Sequence, residues 1–292
     1  MAGVALVAGA QEPAPRSDIA TVGVTVTGRT TESPRGLAAA DFRVLEDGRE
    51  QTIMSVSEGP GPISIAIVLD PGDSMLGTRQ RLGEQAVERM TASLTAEEEA
   101  TLVMFRQKIV VAVPWTRGPE FPRMDWTLWQ KIPLSDILSG VRTGLFMMDN
   151  AAHPRRAVVA ITNTDEYAST YQLRQYVVTR AQSETAVYGV RTDDYSSGRP
   201  QDATAFESGG PLVSFEDVVR DSGGRILPVK TTDDTQRSSL TLLNELRHQY
   251  VIRFSTTKAF DGSYRRLKVE LRKGKDLRIR HRLGYLAKAA RG

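Results

Sequence analysis

The chain has no cysteine among its 292 residues. That excludes disulfides, thiolate metal sites and cysteine nucleophiles. It leaves the compartment open, because reducing and oxidising locations both tolerate such an absence. Histidine is scarce too: His153, His248 and His281 are the whole supply and lie far apart in sequence. No H-E-x-x-H pair, G-x-S-x-G elbow or glycine-rich phosphate loop appears. Catalysis has no recognisable machinery here, and no catalytic residue is assigned. No apolar run approaches the roughly 20 residues needed to cross a bilayer, so no membrane span is expected.

What is present suits a packed protein. Hydrophobic residues make up 40% and charged residues 25%, enough for one large domain or two modest ones. The formal net charge of +3 hides an asymmetry. Residues 245–292 carry 14 Lys/Arg against 4 Asp/Glu, which leaves the preceding chain acidic. The start, "MAGVALVAGAQEPAPRSD", has a short apolar stretch, a small-x-small Ala8-Gly9-Ala10 and a proline-containing linker. Residues 1–16 read as a signal peptide and linker, so export to the periplasm or beyond is expected. The stretch lacks the basic residues that precede such a core, and a flexible Ala/Gly tail is the other reading.

Three blocks follow. In residues 17–60, Val22, Val24 and Val26 alternate with small or polar residues at the period of a half-buried strand. Asp47-Gly48 lies between two strand-like runs, as a two-residue hairpin turn requires. Residues 61–247 alternate strands and helices. "ISIAIVLD" reads as a central strand covered on both faces, and Leu82, Ala86, Met90 and Leu94 share one face of a helix over 78–96. Further helices are predicted at "LSDILSGVRTGLFMM", "YQLRQYVVTRAQ", "FEDVVRDSGG" and "DDTQRSSLTLLNELRHQ". Repeated units of this kind imply an α/β fold, a doubly wound and mostly parallel sheet. Residues 248–288 return to alternating β. The two flanking segments are each too small to bury a core and are predicted to pack together as one small antiparallel unit, with the α/β domain inserted between them.

Several stretches carry a family likeness: "LAAADFRVLEDGREQTI", "ISIAIVLDPGDSM", "RAVVAITNTDEY" and the ending from "LLNELRHQYVIRFSTT" to "LGYLA". Together they resemble the bacterial VWFA-related proteins, a von Willebrand factor type A domain with flanking β segments. That resemblance implies a Rossmann-like sheet with a metal-ion-dependent adhesion site at its carboxyl end. The family pattern there is D-x-S-x-S, then a threonine, then an aspartate. Asp70 matches the first aspartate and Ser74 the second serine, Gly72 replaces the first serine, and Ile132 aligns with the threonine unless a shifted register offers Ser135. Asn163 stands in place of the last aspartate. Mg²⁺ needs six oxygens and relies on carboxylates to offset its charge. Asp70, Ser74 and Asn163 thus form a degenerate site that binds Mg²⁺ or another divalent cation weakly at best. No cofactor is required.

Ligands of open α/β sheets bind outside the carboxyl ends of the strands. Asp73, Trp126, Trp129, Asp165 and Glu166 are placed on the rim of that face, with Trp115 in the same exposed loop region. The resulting expectation is a non-catalytic, extracytoplasmic protein-interaction module, adhesive or scaffolding, that meets another protein at this loop face. Two alternatives stand beside it. One is a divalent-metal-dependent enzyme using Asp70, Asp73, Asp165 and Glu166. The other is a polyanion-binding protein using Arg265, Arg266, Lys268, Arg272, Lys273, Lys275, Arg278, Arg280 and Arg282. The bland reading of that cluster is a solvated strand face that guards a sheet edge. Nucleic acid and small-molecule substrates are not expected as partners.

Overall fold

The computed structural model describes residues 18–28, 34–72, 75–105, 109–128, 136–163, 185–192, 214–258, 260–274 and 276–287. Residues 1–16, read above as a leader, and the helix expected at "YQLRQYVVTRAQ" lie outside the described residues.

Strand β4 (Ile63–Leu69) sets the α/β layer, because all seven of its residues are buried. Ile63, Ile65, Ile67 and Leu69 enter one core, while Ala66 and Val68 enter the other. A strand buried on both faces tolerates polar side chains only at its ends, which is where Asp70 sits. β4 pairs in parallel with β5 (Glu99–Phe105) on one side and β7 (Arg155–Thr162) on the other. The sheet runs β6-β5-β4-β7-β8-β9, with β8 (Ala186–Arg191) and β9 (Ile226–Pro228) also parallel. Only β6 (Ile109–Arg117), at the far edge, is antiparallel.

Helix α1 (Thr78–Ala92) covers one face with Leu82, Ala86 and Met90. It ends before Leu94, which stays buried in the same core from the following turn. α2 (Ile137–Met147) starts at an Asp136 cap that accepts the Ser139 N–H, and it covers the opposite face together with α3 (Phe215–Asp221). α4 (Thr232–Arg247) opens with a Thr231/Asp234 capping box and returns to the first face with Leu242, Leu243 and Leu246. No helix among the described residues is long and apolar enough to cross a membrane.

The flanking segments supply a second, antiparallel sheet, ordered β12-β1-β10-β3-β2-β11-β13. β1 (Asp18–Thr27), β2 (Phe42–Glu46) and β3 (Arg49–Ser57) come from the N-terminal part. β10 (Tyr250–Thr256), β11 (Tyr264–Leu271), β12 (Arg278–His281) and β13 (Gly284–Leu286) come from the C-terminal part. Asp47 and Gly48 both take positive φ, 48° and 81°, the geometry of the expected hairpin turn. The strands at the two ends of the sheet, β12 and β13, are consecutive in the chain; β12 pairs with β1, β13 pairs with β11, and Val269 N–H of β11 donates to His281 Nε2 of β12. The sheet therefore closes on itself around Val22, Val24, Val26, Phe42, Tyr250 and Phe254. Closure removes the edge that the basic residues were expected to guard.

Arg265 corrects the sequence reading most sharply. It was placed on a solvated face, yet it is fully buried inside the closed sheet. Its Nη1 lies 3.4 Å from Glu46 Oε1 and donates to Thr256 Oγ1 at 2.8 Å. Thr256 and Tyr285 hydroxyls both donate to Glu46. The alternation of β11 forces this: Arg265 shares its face with Leu267 and Val269, while Arg266 and Lys268 point out.

A second set of arginines joins the two sheets. Glu245 of α4, 2% exposed, holds Arg225 from the α/β layer and Arg280 of β12. Arg155 of β7 donates to Gln249 O at 3.2 Å. Arg282 donates to Thr21 O within the antiparallel sheet itself. Arg280 thus serves the seam and Arg282 the inside of its own sheet, rather than the free basic surface expected of them.

Two expected outcomes follow from the barrel. Arg265→Met leaves Glu46 charged and uncompensated, and should cost about 3–5 kcal/mol in urea unfolding. The exposed neighbour change Arg266→Met should stay within about 0.5 kcal/mol. His281 gives a pH dependence. Its Nε2 accepts the Val269 N–H at 3.0 Å and its Nδ1 faces Arg282 O at 2.7 Å, which fixes a neutral ring. Burial holds its pKa below the ordinary 6.5. The unfolded chain takes up the proton first, so this stability is complete above about 6.5 and declines as pH falls below it. Thermal unfolding of His281→Gln should show a shallower acid slope than the wild type.

Candidate functional site

The order of the α/β sheet reverses at β4, so the crevice lies between the carboxyl ends of β4 and β7. Leu69 pairs with Ile161, which sets Asp70 opposite Thr162 and one step from Asn163. Asp70 is 1% exposed. Its backbone N–H donates to Ile161 O at 3.0 Å. Its Oδ1 accepts the Gly72 N–H at 2.9 Å, and its Oδ2 accepts the Thr162 hydroxyl at 2.7 Å. The carboxylate therefore stabilises the turn after β4 and ties it to β7, as short acidic side chains do at chain reversals. Thr162 is the residue the sequence reading passed over. The signal was available: in a parallel pair, the last residue of one strand faces the end of its neighbour.

Asn163 is buried at the same end of the sheet. Ser74, Asp73, Trp129, Asp165 and Glu166, with Ile132 and Ser135, lie outside the described residues. The resemblance implies a divalent cation here, and the donors can be tested against it. Among the described residues, Asp70 supplies one carboxylate whose two oxygens already accept protein hydrogens, Thr162 a hydroxyl and Asn163 an amide. No three His, Asp or Glu side chains among the described residues converge as metal ligands. The described donors alone, with one charge among them, fall short of the six oxygens that Mg²⁺ takes.

Beside Asp70 a small cleft opens toward α1. Its lining includes Asp70, Met75, Leu76, Glu84, Met104 and Trp126, around a space of about 20 Å³. Trp126 packs on the α1 side of the core, and its indole N–H donates to Glu88 Oε1 at 2.9 Å. Trp115 lies on the opposite face, against the α2 side, and donates to Met147 O at 3.1 Å. These two tryptophans cover different faces of the sheet instead of forming the single exposed region expected. Glu84 is half-buried and accepts from the Gln80 amide at 2.8 Å. Desolvation, reinforced by Glu88, raises its pKa above the ordinary carboxylate value.

The basic cluster is largely committed elsewhere. Arg265 and Arg282 are buried, Arg280 is held by Glu245, Arg272 by Glu50, and Lys268 by Glu270. Much of the positive charge counted in the sequence is neutralised within the fold, which removes the main support for a polyanion surface.

No family model matches the sequence, and no curated protein matches it. Several solved structures align with it. A von Willebrand factor type A protein from Catenulispora acidiphila aligns over 94% of this chain and 75% of its own, with TM-score 0.47 and 9% identity. The PilB minor pilin from Streptococcus sanguinis aligns over 65% and 62%, with TM-score 0.46 and 8% identity. BatB, a conserved hypothetical protein from Bacteroides thetaiotaomicron, aligns over 63% and 98%, with TM-score 0.39 and 13% identity. The chain resembles von Willebrand factor type A domains. At such scores no activity or partner passes from those proteins to this one.

The Asp70–Thr162 bond has a measurable consequence. Thr162→Val leaves a buried carboxylate oxygen short of a donor and should cost about 1–3 kcal/mol in denaturant unfolding. Thr162→Ser, which keeps the hydroxyl, should recover most of that loss.

Proposed function

We propose that this chain is a non-catalytic, extracytoplasmic protein-interaction module, adhesive or scaffolding, that docks another protein at the loop face above β4 and β7. Its adhesion site has exchanged the metal for a structural role. The observation that carries this reading is Asp70: the carboxylate at the switch point is buried, and each oxygen accepts a hydrogen from the protein itself. In this reading Asn163 and Ser74 are remnants of a ligand set, and Asp73, Trp129, Asp165 and Glu166 belong to the docking rim with Trp126. Export rests on the leader-like pattern of residues 1–16. The strands of 17–60 and 248–288 form the base that carries the 61–247 unit.

Titration calorimetry with Mg²⁺, Mn²⁺ and Ca²⁺ tests the reading. The expected result is no binding heat for any of the three ions, in the wild type or in Asp70→Ala. Micromolar binding that vanishes in Asp70→Ala would overturn it and restore a metal-dependent site.

A further inference from the structure

Asp70 and Glu84 both line the cleft beside β4, and among the described residues no lysine, arginine or histidine lines it with them. Glu84 receives only the neutral Gln80 amide among the described residues, and Glu88, on the same helix, adds negative charge behind the Trp126 indole. Met75, Leu76 and Met104 make the remaining wall apolar. A half-buried carboxylate without a cationic partner is a cost to the fold, visible in the raised pKa that desolvation gives Glu84. Such costs are retained where a ligand offsets them.

We propose that this cleft receives the ammonium group of a lysine on the partner protein. The proposal deepens the reading of the loop face as a docking surface and rests on it. The space of about 20 Å³ takes one water-sized group, which matches a compact ammonium better than a planar guanidinium. Glu84 supplies the opposite charge, and Trp126 supplies an aromatic wall toward which a cation is attracted. The four-carbon stem, which packs readily on apolar surface while its head seeks a polar contact, would lie outside the cleft, past the partly exposed Leu76 at its mouth. Asp70, with both oxygens engaged, shapes the floor and adds negative potential without moving.

The test uses Nα-acetyl-lysine methylamide as probe, with the arginine and norleucine analogues beside it, all in the presence of a chelator. Binding is followed by NMR at the Trp126 indole proton, assigned with Trp126→Phe. The lysine probe should shift that resonance with a dissociation constant on the order of millimolar. The arginine probe should bind several-fold more weakly, the norleucine probe should leave the resonance in place, and Glu84→Gln should weaken the lysine probe about tenfold. Glu84→Gln should unfold at the same temperature as the wild type or higher, which separates lost binding from lost folding. An equal shift with norleucine, no shift with lysine, or unchanged lysine binding in Glu84→Gln overturns the proposal. Because the chelator removes every divalent ion, the outcome is independent of the calorimetry. A module that docks its partner elsewhere would still take the probe.

Discussion

A buried carboxylate must be hydrogen-bonded or else change its charge state, and Asp70 meets that constraint within the protein. One oxygen accepts the Gly72 N–H and the other the Thr162 hydroxyl. The first bond shapes the turn leaving β4, and the second ties that turn to the neighbouring strand at the point where the sheet order reverses. The cleft toward α1 is one consequence, since Pro71, Met75 and Leu76 all line it from that turn. A cation at the same position would compete with these bonds for the same lone pairs. Among the described residues, the turn after β4 is therefore held by internal hydrogen bonding, and the Glu84 carboxylate lies to one side of it.

The α/β layer does not stand alone on its flanking strands. Glu245, almost wholly buried in α4, grips one arginine from each layer, Arg155 donates to Gln249 O, and Leu283 N–H donates to Asp221 O across the same seam. Breaking one side of such a contact leaves a charge without compensation, so the seam resists opening more than its Coulomb energy suggests. Inside the barrel, Glu46, Arg265, Thr256 and Tyr285 form another polar network, built from side chains of β2, β11, β10 and β13. A stretch with a large formal positive charge thus spends much of it on internal pairing.

Much of this architecture was legible in local pattern. Val22, Val24 and Val26 alternate and are buried; Asp47-Gly48 needs positive φ and has it; residues 63–69 are apolar throughout and form the central strand. Each of these is decided by residues close in sequence, through side-chain period or backbone freedom. Grouping Arg265 by charge with the basic residues around it misplaces it, because its register with Leu267 and Val269 sets it on the apolar face. Trp115 and Trp126 misled for a similar reason, since nearness along a loop says nothing about which side of a sheet each ring covers.

By itself, the sequence determined the element order, the doubly wound layer, the return to β at both ends and the placing of a lone aspartate after the central strand. These follow from periodicity, turn chemistry and chain connectivity, which are local. Only the tertiary structure decided that the antiparallel strands close on themselves, that arginines hold the two sheets together, and that Asp70 is satisfied by Thr162. Those depend on partners up to 261 residues apart, as Arg282 and Thr21 are, and no local pattern encodes such a meeting.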